Sequence, residues 1–176
     1  MSSFKKGGMY ILSSPSGAGK TTLVRKISRN RNFSVSISHT TRLPRPNEKD
    51  GKDYYFVSKN NFRKLIKKGE FLEHAKVFEN YYGSSKHLII KKLKQGKNII
   101  FDIDWQGTRQ IRNKKLNYKL LTIFVLPPTK EELIKRLIKR EKKNLKTVKK
   151  RMKEFIANYM FFMLINLVVK KETSLN

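Results

Sequence analysis

The residues of this chain best suited to chemistry are Met9-Tyr10-Ile11-Leu12-Ser13-Ser14-Pro15-Ser16-Gly17-Ala18-Gly19-Lys20-Thr21-Thr22. A short apolar run feeds a Gly/Ser-rich loop, and Gly-Lys-Thr then opens a stretch of helical periodicity. In that strand–loop–helix setting, backbone N–H groups of the loop and helix N-terminus converge on polyphosphate oxygens. Lys20 is placed to reach the β- and γ-phosphates, and the Thr21 hydroxyl to sit on Mg²⁺. The expected triphosphate cradle is Ser14, Pro15, Ser16, Gly17, Ala18, Gly19, Lys20, Thr21 and Thr22. Gly17 and Gly19 leave room where a Cβ would collide with a ligand. The general pattern G-x-x-x-x-G-K-[ST] has glycine where this chain has Ser14, which reads as a tolerated variant because the Ser-Gly-Ala-Gly-Lys-Thr core is intact. A loop that only links a strand to a helix is the plain alternative.

The elements that must position this loop follow from periodicity. Leu23, Val24 and Ile27 recur at helical spacing over Lys20–Arg29. Phe33–Ser38 alternates apolar and polar residues and predicts one short strand. His39–Gly51, rich in Pro, Asn and Gly, is irregular. Asp53–Val57 predicts a strand, and Ser58 caps a helix with Phe62, Leu65 and Ile66 inward, stopped by Gly69. Phe71–Phe78 is strand-like, and Tyr81-Tyr82-Gly83-Ser84 is expected to turn the chain into a helix ending at Gly96. Asn98–Asp104 is a near-continuous apolar run ending in acid, which suits a strand covered on both faces. Asp102 and Asp104, two apart, are expected on one side of its carboxyl end, where α/β sheets bind ligands. Leu120–Leu126 predicts another buried strand, and Thr129 with Glu132 forms a capping box. The following helix buries Leu133, Ile134 and Leu137, and after a polar stretch from Arg140 to Lys146 a last helix buries Val148, Met152 and Phe155. There is no internal repeat and no domain-sized linker. The fold class predicted is α/β: a single domain with a doubly wound parallel sheet of the P-loop NTPase type.

Length and composition set bounds. The chain's 176 residues suffice for one such domain with a real core. It has no cysteine, so neither disulfides nor thiolate metal sites are available. The apolar run after Phe4-Lys5-Lys6 is too short for a signal peptide, and no stretch is long enough to span a membrane, so a cytoplasmic protein is expected. A net charge of +28 admits electrostatic binding to nucleic acid or an anionic membrane. The favoured alternative is a lysine-biased solvated surface, because lysines spread over every segment without an aromatic-interleaved stripe. No specific nucleic-acid partner and no membrane are therefore expected.

Beyond the P-loop, Ser38-His39-Thr40-Thr41-Arg42-Leu43-Pro44-Arg45, Gly51-Lys52-Asp53-Tyr54-Tyr55-Phe56-Val57, Phe71-Leu72-Glu73-His74-Ala75, Asn80-Tyr81-Tyr82-Gly83-Ser84 and Asp102-Ile103-Asp104-Trp105-Gln106-Gly107 follow in order. Together with the P-loop they resemble the guanylate kinase family, without gaps, to about Met152. The resemblance implies ATP and GMP as ligands, Mg²⁺ as cofactor, and a monomer or weak homo-oligomer. It implies a GMP-binding insertion at 38–83, a core at 1–37 and 84–176, and a helical lid at 136–151. Arg42 and Arg45 in a Pro-braced loop, with Tyr54 close after, suit a phosphate dianion, although surface solvation would explain arginines alone. The resemblance assigns Arg42, Arg45, Tyr54 and Tyr82 to the GMP phosphate. It assigns Glu73, assisted by Ser38, Ser84 and Asp104, to guanine, whose adjacent N1–H and N2–H₂ donors suit a carboxylate. Asp102 reads as the acid that holds Mg²⁺ with Thr21, while the roles of Asp102 and Asp104 are not separable from the residues. Lys20, Arg42 and the lid residues Arg136, Arg140 and Arg151 are the expected catalytic cations, around a lysine-rich turn Glu141-Lys142-Lys143-Asn144. A non-catalytic, phosphopeptide-binding relative of the family is the runner-up, although such modules typically have a degraded P-loop.

After Met152 the resemblance degrades. Met163-Leu164-Ile165-Asn166 reads as the remnant of a strand that arrives early, with Leu167 in place of an acid and the family's terminal helix missing. A shortened or frame-altered C-terminus with marginal stability and weakened ATP affinity is the expectation. An ordinary amphipathic helix on the sheet, or a membrane-anchoring tail, are the alternatives.

Overall fold

The computed structural model describes residues 7–14, 18–127, 129–140 and 144–172, apart from the side chains at 130, 140, 154, 157, 158 and 164–172. The elements run β1 (Met9–Ser13), α1 (Lys20–Ile27), β2 (Phe33–Val35), β3 (Ser38–Thr40), β4 (Tyr55–Phe56), α2 (Lys59–Lys67), β5 (Phe71–Val77), β6 (Asn80–Ser85), α3 (Lys86–Lys94), β7 (Asn98–Asp102), α4 (Trp105–Asn113), β8 (Leu120–Phe124), α5 (Lys130–Arg140) and α6 (Leu145–Glu172).

The apolar runs β1 and β7 pair parallel at the centre of a four-stranded sheet of order β2-β7-β1-β8. Helices cover both of its faces. Met9, Ile11, Ile99 and Phe101 pack with Ile89 and Leu93 of α3 and Ile111 of α4, while Leu12 and Ile100 pack with Val24 of α1. This is the expected doubly wound α/β arrangement, and it sets the ends of β1 and β7 side by side.

A second sheet, β4-β3-β6-β5, stands beside the first. It corrects two expectations. The Phe33–Ser38 strand is divided: β2 joins the first sheet, Ser36 N–H donates to Ile100 O (2.8 Å), and β3 begins the second sheet at Ser38. Alternation of period two continues through the crossing, so the sequence carries no mark of the change of sheet. Tyr81-Tyr82-Gly83-Ser84 is not the turn before a helix but the middle of β6, antiparallel to both β3 and β5, and the expected helix follows it as α3. Gly83 is a packing residue there, since a Cβ would lie 3.0 Å from both Phe62 Cζ and Phe71 Cδ1.

Other boundaries need smaller corrections. Ser58 caps α2 by accepting from Asn61 N–H (3.2 Å), as expected. Asp104 lies beyond β7 and is the N-cap of α4, a helix over residues left unassigned from sequence. β8 ends at Phe124 and is an edge strand rather than a buried one, with Leu121 and Ile123 at 44% and 36% exposure. Thr129 Oγ1 accepts from Glu132 N–H (3.1 Å), while Glu132 Oε1 accepts from Arg136 Nε (2.7 Å).

The strand remnant expected at Met163–Asn166 is instead part of α6, a continuous helix. Val148, Met152 and Phe155 pack on Leu133 and Leu137 of α5, and Phe162 stacks on Phe124 of β8 at 4.6 Å. The helix therefore covers one flank of the sheet by aromatic stacking. Phe162 is 4% exposed, so Phe162→Ala is expected to cost about 3 kcal/mol in stability. Denaturant unfolding checks this, and a midpoint unchanged from wild type would contradict it. Among the described residues, no helix is long and apolar enough to cross a membrane.

Candidate active site

The loop between β1 and α1 opens at the carboxyl end of the first sheet. Gly19, the N-cap of α1, has φ 97°, a left-handed conformation that favours glycine. None of the protein's own atoms would meet a Cβ there within 4 Å, so backbone handedness is the requirement the protein itself imposes. Gly19 brings no side-chain oxygen to the first turn of α1, which leaves the N-terminal end of the helix suited to an anion. Pro15, Ser16 and Gly17 lie outside the described residues.

The register of β1 with β7 sets Leu12 opposite Asp102 and thereby places this acid next to the loop. Lys20 Nζ forms an ion pair with Asp102 Oδ1. Thr21 lines the same space. Among the described residues no cluster of three or more His, Asp or Glu side chains could hold a metal by itself. That donor set fits a Mg²⁺ ion arriving with phosphates, which binds through one or two carboxylates plus phosphate oxygens.

Facing the loop is a row built by strand register. Ser38 of β3 lies opposite Ser84 of β6, and Ser84 lies opposite Glu73 of β5 across a β-bulge. Ser84 Oγ donates to Glu73 Oε1 (2.6 Å), and the hydroxyl oxygens of Ser38 and Ser84 are 3.4 Å apart. Glu73 is only 3% exposed. Burial pushes its carboxyl up to about 7, with the charge of Asp104 adding to the rise and the Ser84 hydrogen bond opposing it. The Asp104 carboxylate accepts from the N–H groups of Gln106 (2.9 Å) and Gly107 (3.1 Å), which fixes the start of α4 beside Glu73.

The loop between β3 and β4 supplies the cations. Arg42 Nη2 donates to both oxygens of Glu48 (2.9 Å each), Nη1 donates to Leu43 O (2.6 Å), and the guanidinium lies 5.4 Å from the Tyr54 ring centroid. Glu48 Oε2 also accepts from the backbone N–H of Arg45 (2.7 Å), so this one acid shapes the loop around both arginines. The Tyr54 ring stands 6.1 Å from that of Tyr82. Burial, then the nearby Asp102 charge, pushes the Tyr54 phenol up to about 12. It therefore stays protonated at any working pH, a donor suited to a phosphate oxygen.

Both halves open into one cleft of about 770 Å³. Ser14, Gly19, Lys20, Thr21 and Asp102 line it from the ends of β1, α1 and β7, and Ser38, Arg42, Arg45, Tyr54, Glu73 and Tyr82 line it from the second sheet and its loop, with Asp104 at the start of α4. Ser84 stands behind Glu73, buried. Ala18 is also buried, while Thr22 lies within α1. Of the three expected lid arginines, Arg151 lines the cleft with its guanidinium 4.8 Å from the Phe78 ring. Arg136 stands outside that lining, on Glu132. The Arg140 side chain and the turn at 141–143 lie outside the described residues.

Three contributors were not found from sequence. Glu48 organises the arginine loop, and its signal was available, because it is the single acid between His39 and Lys49. Phe78 and Lys150 line the cleft where the β5–β6 turn meets α6, with Lys150 Nζ 5.0 Å from the Phe78 ring. Residues 72 apart in the chain gave no such signal.

A parallel sheet with a Gly-Lys-Thr loop after its central strand is the P-loop NTPase fold. Comparison with known proteins narrows this. The guanylate kinase family model matches residues 6–172. The guanylate kinase of Buchnera aphidicola subsp. Baizongia pistaciae is 49% identical over 155 residues, covering 86% of this chain and 74% of the relative. That of Alkalilimnicola ehrlichii is 45% identical, covering 86% and 74%. The crystal structure of guanylate kinase from Anaplasma phagocytophilum superposes with a TM-score of 0.65 at 30% identity, covering 95% of this chain and 87% of that one. The chain belongs to the guanylate kinase family.

Proposed function

We propose that this cleft transfers the γ-phosphoryl group of ATP to the phosphate of GMP, giving ADP and GDP. The observation that carries this is the shared cleft: Lys20 and Asp102 from the loop and strand end line the same space as Glu73, Arg42, Tyr54 and Tyr82 from the second sheet. A nucleotide kinase needs such a shared space, because its catalysis consists of holding two phosphates in line and neutralising charge.

In the proposed reaction an oxygen of the GMP phosphate forms a bond to the γ-phosphorus as the bond to the β–γ bridging oxygen breaks. The leaving ADP takes that electron pair. Ser14 to Thr22 hold the donor phosphates, with Lys20 on the transferring group. Thr21 and Asp102 would hold Mg²⁺, which neutralises phosphate charge when bound. Arg42, Arg45, Tyr54 and Tyr82 hold the acceptor phosphate. Glu73, with Ser38, Ser84 and Asp104, reads guanine. The register that aligns Ser38, Ser84 and Glu73 in one row supports this assignment.

We take the second sheet, within 38–83, as the acceptor-binding insertion and 136–151 as a lid. Arg151 is already in the cleft, and Arg136 would have to leave Glu132 to join it. ATP and GMP as partners, Mg²⁺ as cofactor and a cytoplasmic setting go with this reading.

The test is an ADP-release assay with GMP, AMP, dGMP and UMP as acceptors. GMP-dependent release at least about a hundredfold faster than with AMP is expected, since a site built on hydrogen bonds rejects a base that leaves it unpaired. Tight phosphopeptide binding without turnover would overturn the proposal in favour of a binding module.

A further inference from the structure

Gly107 occupies the third position of α4, where glycine is a poorer helix former than alanine. Its surroundings supply a reason. A Cβ at this position would lie 2.4 Å from Glu73 Oε2, 3.1 Å from Glu73 Cδ and 3.2 Å from Ile103 Cδ1. Its N–H also donates to Asp104 Oδ1 (3.1 Å), so one residue touches both acids of the base-reading wall.

The helix is held in place, whereas the Glu73 carboxylate borders the open cleft. Gln110, one turn along α4, clamps the helix to β5: its Oε1 accepts from His74 N–H (3.1 Å) and its Nε2 donates to His74 O (2.7 Å). His74 is the residue next to Glu73. On its other side the Glu73 carboxylate is tied through Oε1 to Ser84 (2.6 Å). A side chain at 107 would therefore displace the carboxylate rather than the helix.

We infer that Gly107, held against β5 by Gln110, is a positioning residue that sets where the Glu73 carboxylate stands and thereby the selectivity for a 2-aminopurine acceptor. This rests on the kinase reading above. The inference predicts the opposite of helix propensity, by which alanine at 107 would be neutral or favourable. A displacement of about 1 Å in a positioning group costs about 10²-fold.

The experiment compares wild type with Gly107→Ala, Glu73→Asp and the double variant. Gly107→Ala is expected to raise KM for GMP and lower kcat/KM about 10²-fold. It should also collapse the preference for GMP over IMP, which lacks the 2-amino group, and leave KM for ATP unchanged. The shorter acid withdraws from position 107, so adding Gly107→Ala to Glu73→Asp should cost little further. A carbon-13 NMR titration of the Glu73 carboxyl, with Asp104 as its charged neighbour, should show its midpoint lowered in Gly107→Ala by solvation. If wild type turns over GMP and Gly107→Ala keeps its KM, its GMP-to-IMP ratio and its Glu73 midpoint, this inference is overturned. If wild type releases no ADP on GMP, the kinase reading fails instead and selectivity falls with it, while the titration still reports whether Gly107 places the carboxylate.

Discussion

Glu73→Gln is expected to yield a protein that is more stable than wild type above about pH 7 and that no longer prefers GMP. Both effects come from one buried group. Burial raises the Glu73 carboxyl from 4.5 to about 7. Because the folded value lies above the unfolded one, its favourable contribution is complete below about pH 4.5 and is lost as pH rises through about 7. Above that, the ionised carboxylate costs about 3 kcal/mol relative to a group that does not titrate. Glutamine keeps the shape and an oxygen for Ser84 Oγ while removing the charge. Denaturant unfolding should show the variant gaining about 3 kcal/mol at about pH 8 and less than about 1 kcal/mol at about pH 5. A loss of similar size at both would contradict the account.

The functional half has the opposite sign. Guanine presents two adjacent donors, and a carboxylate accepts both. A carboxamide turns one donor toward a donor, which leaves buried polar groups unpaired and is expected to lower kcat/KM for GMP by about 10⁴-fold. KM for ATP should not move, since Glu73 belongs to β5 of the second sheet and the phosphate loop to the first. In wild type, KM for GMP should rise about tenfold per pH unit below about pH 7, as the proton on Glu73 must be expelled before the base binds. A flat profile would remove Glu73 from base recognition.

Lys20→Ala is the second large effect. The ammonium pairs with Asp102 at the mouth of the loop, and phosphate oxygens are to replace or join that partner. Removing a preorganised cation from a developing phosphoryl charge is expected to lower kcat about 10³-fold. The alanine variant should also lose the thermal stabilisation that ATP gives wild type, about 2.7 kcal/mol at a ligand concentration near 100 Kd. Unchanged turnover would show that the loop does not hold the donor. Lys20→Arg is expected to rescue poorly, because a planar fork does not replace a compact point charge.

Helices α1 and α2, the central strands β1 and β7 and the buried positions of α5 and the start of α6 were legible because each follows from a local pattern. Leu23, Val24 and Ile27 mark α1, Ser58 and Gly69 bracket α2, and Met9–Leu12 and Ile99–Phe101 are unbroken apolar runs. What failed was non-local. β6 reads as a turn because Gly83 is judged by its flexibility, whereas its lack of a side chain serves Phe62 and Phe71. β8 reads as buried because Leu120, Leu121, Ile123 and Phe124 are all apolar, and the outward Leu121 and Ile123 look the same in sequence as Phe124, which stacks on α6. The arginine loop was found, but not the acid that shapes it.

From its residues alone, then, this protein declares a phosphate loop, an acid-ended central strand and an Arg-Pro loop, since backbone conformation and apolar periodicity act over a few residues. The tertiary structure alone decided that Lys20 and Glu73 share a cleft and that Asp102 pairs with Lys20 at the loop. It also decided that Gly107 leaves the space Glu73 fills. Those relations join residues dozens of positions apart, and they arise from sheet register and helix packing, which no local pattern encodes.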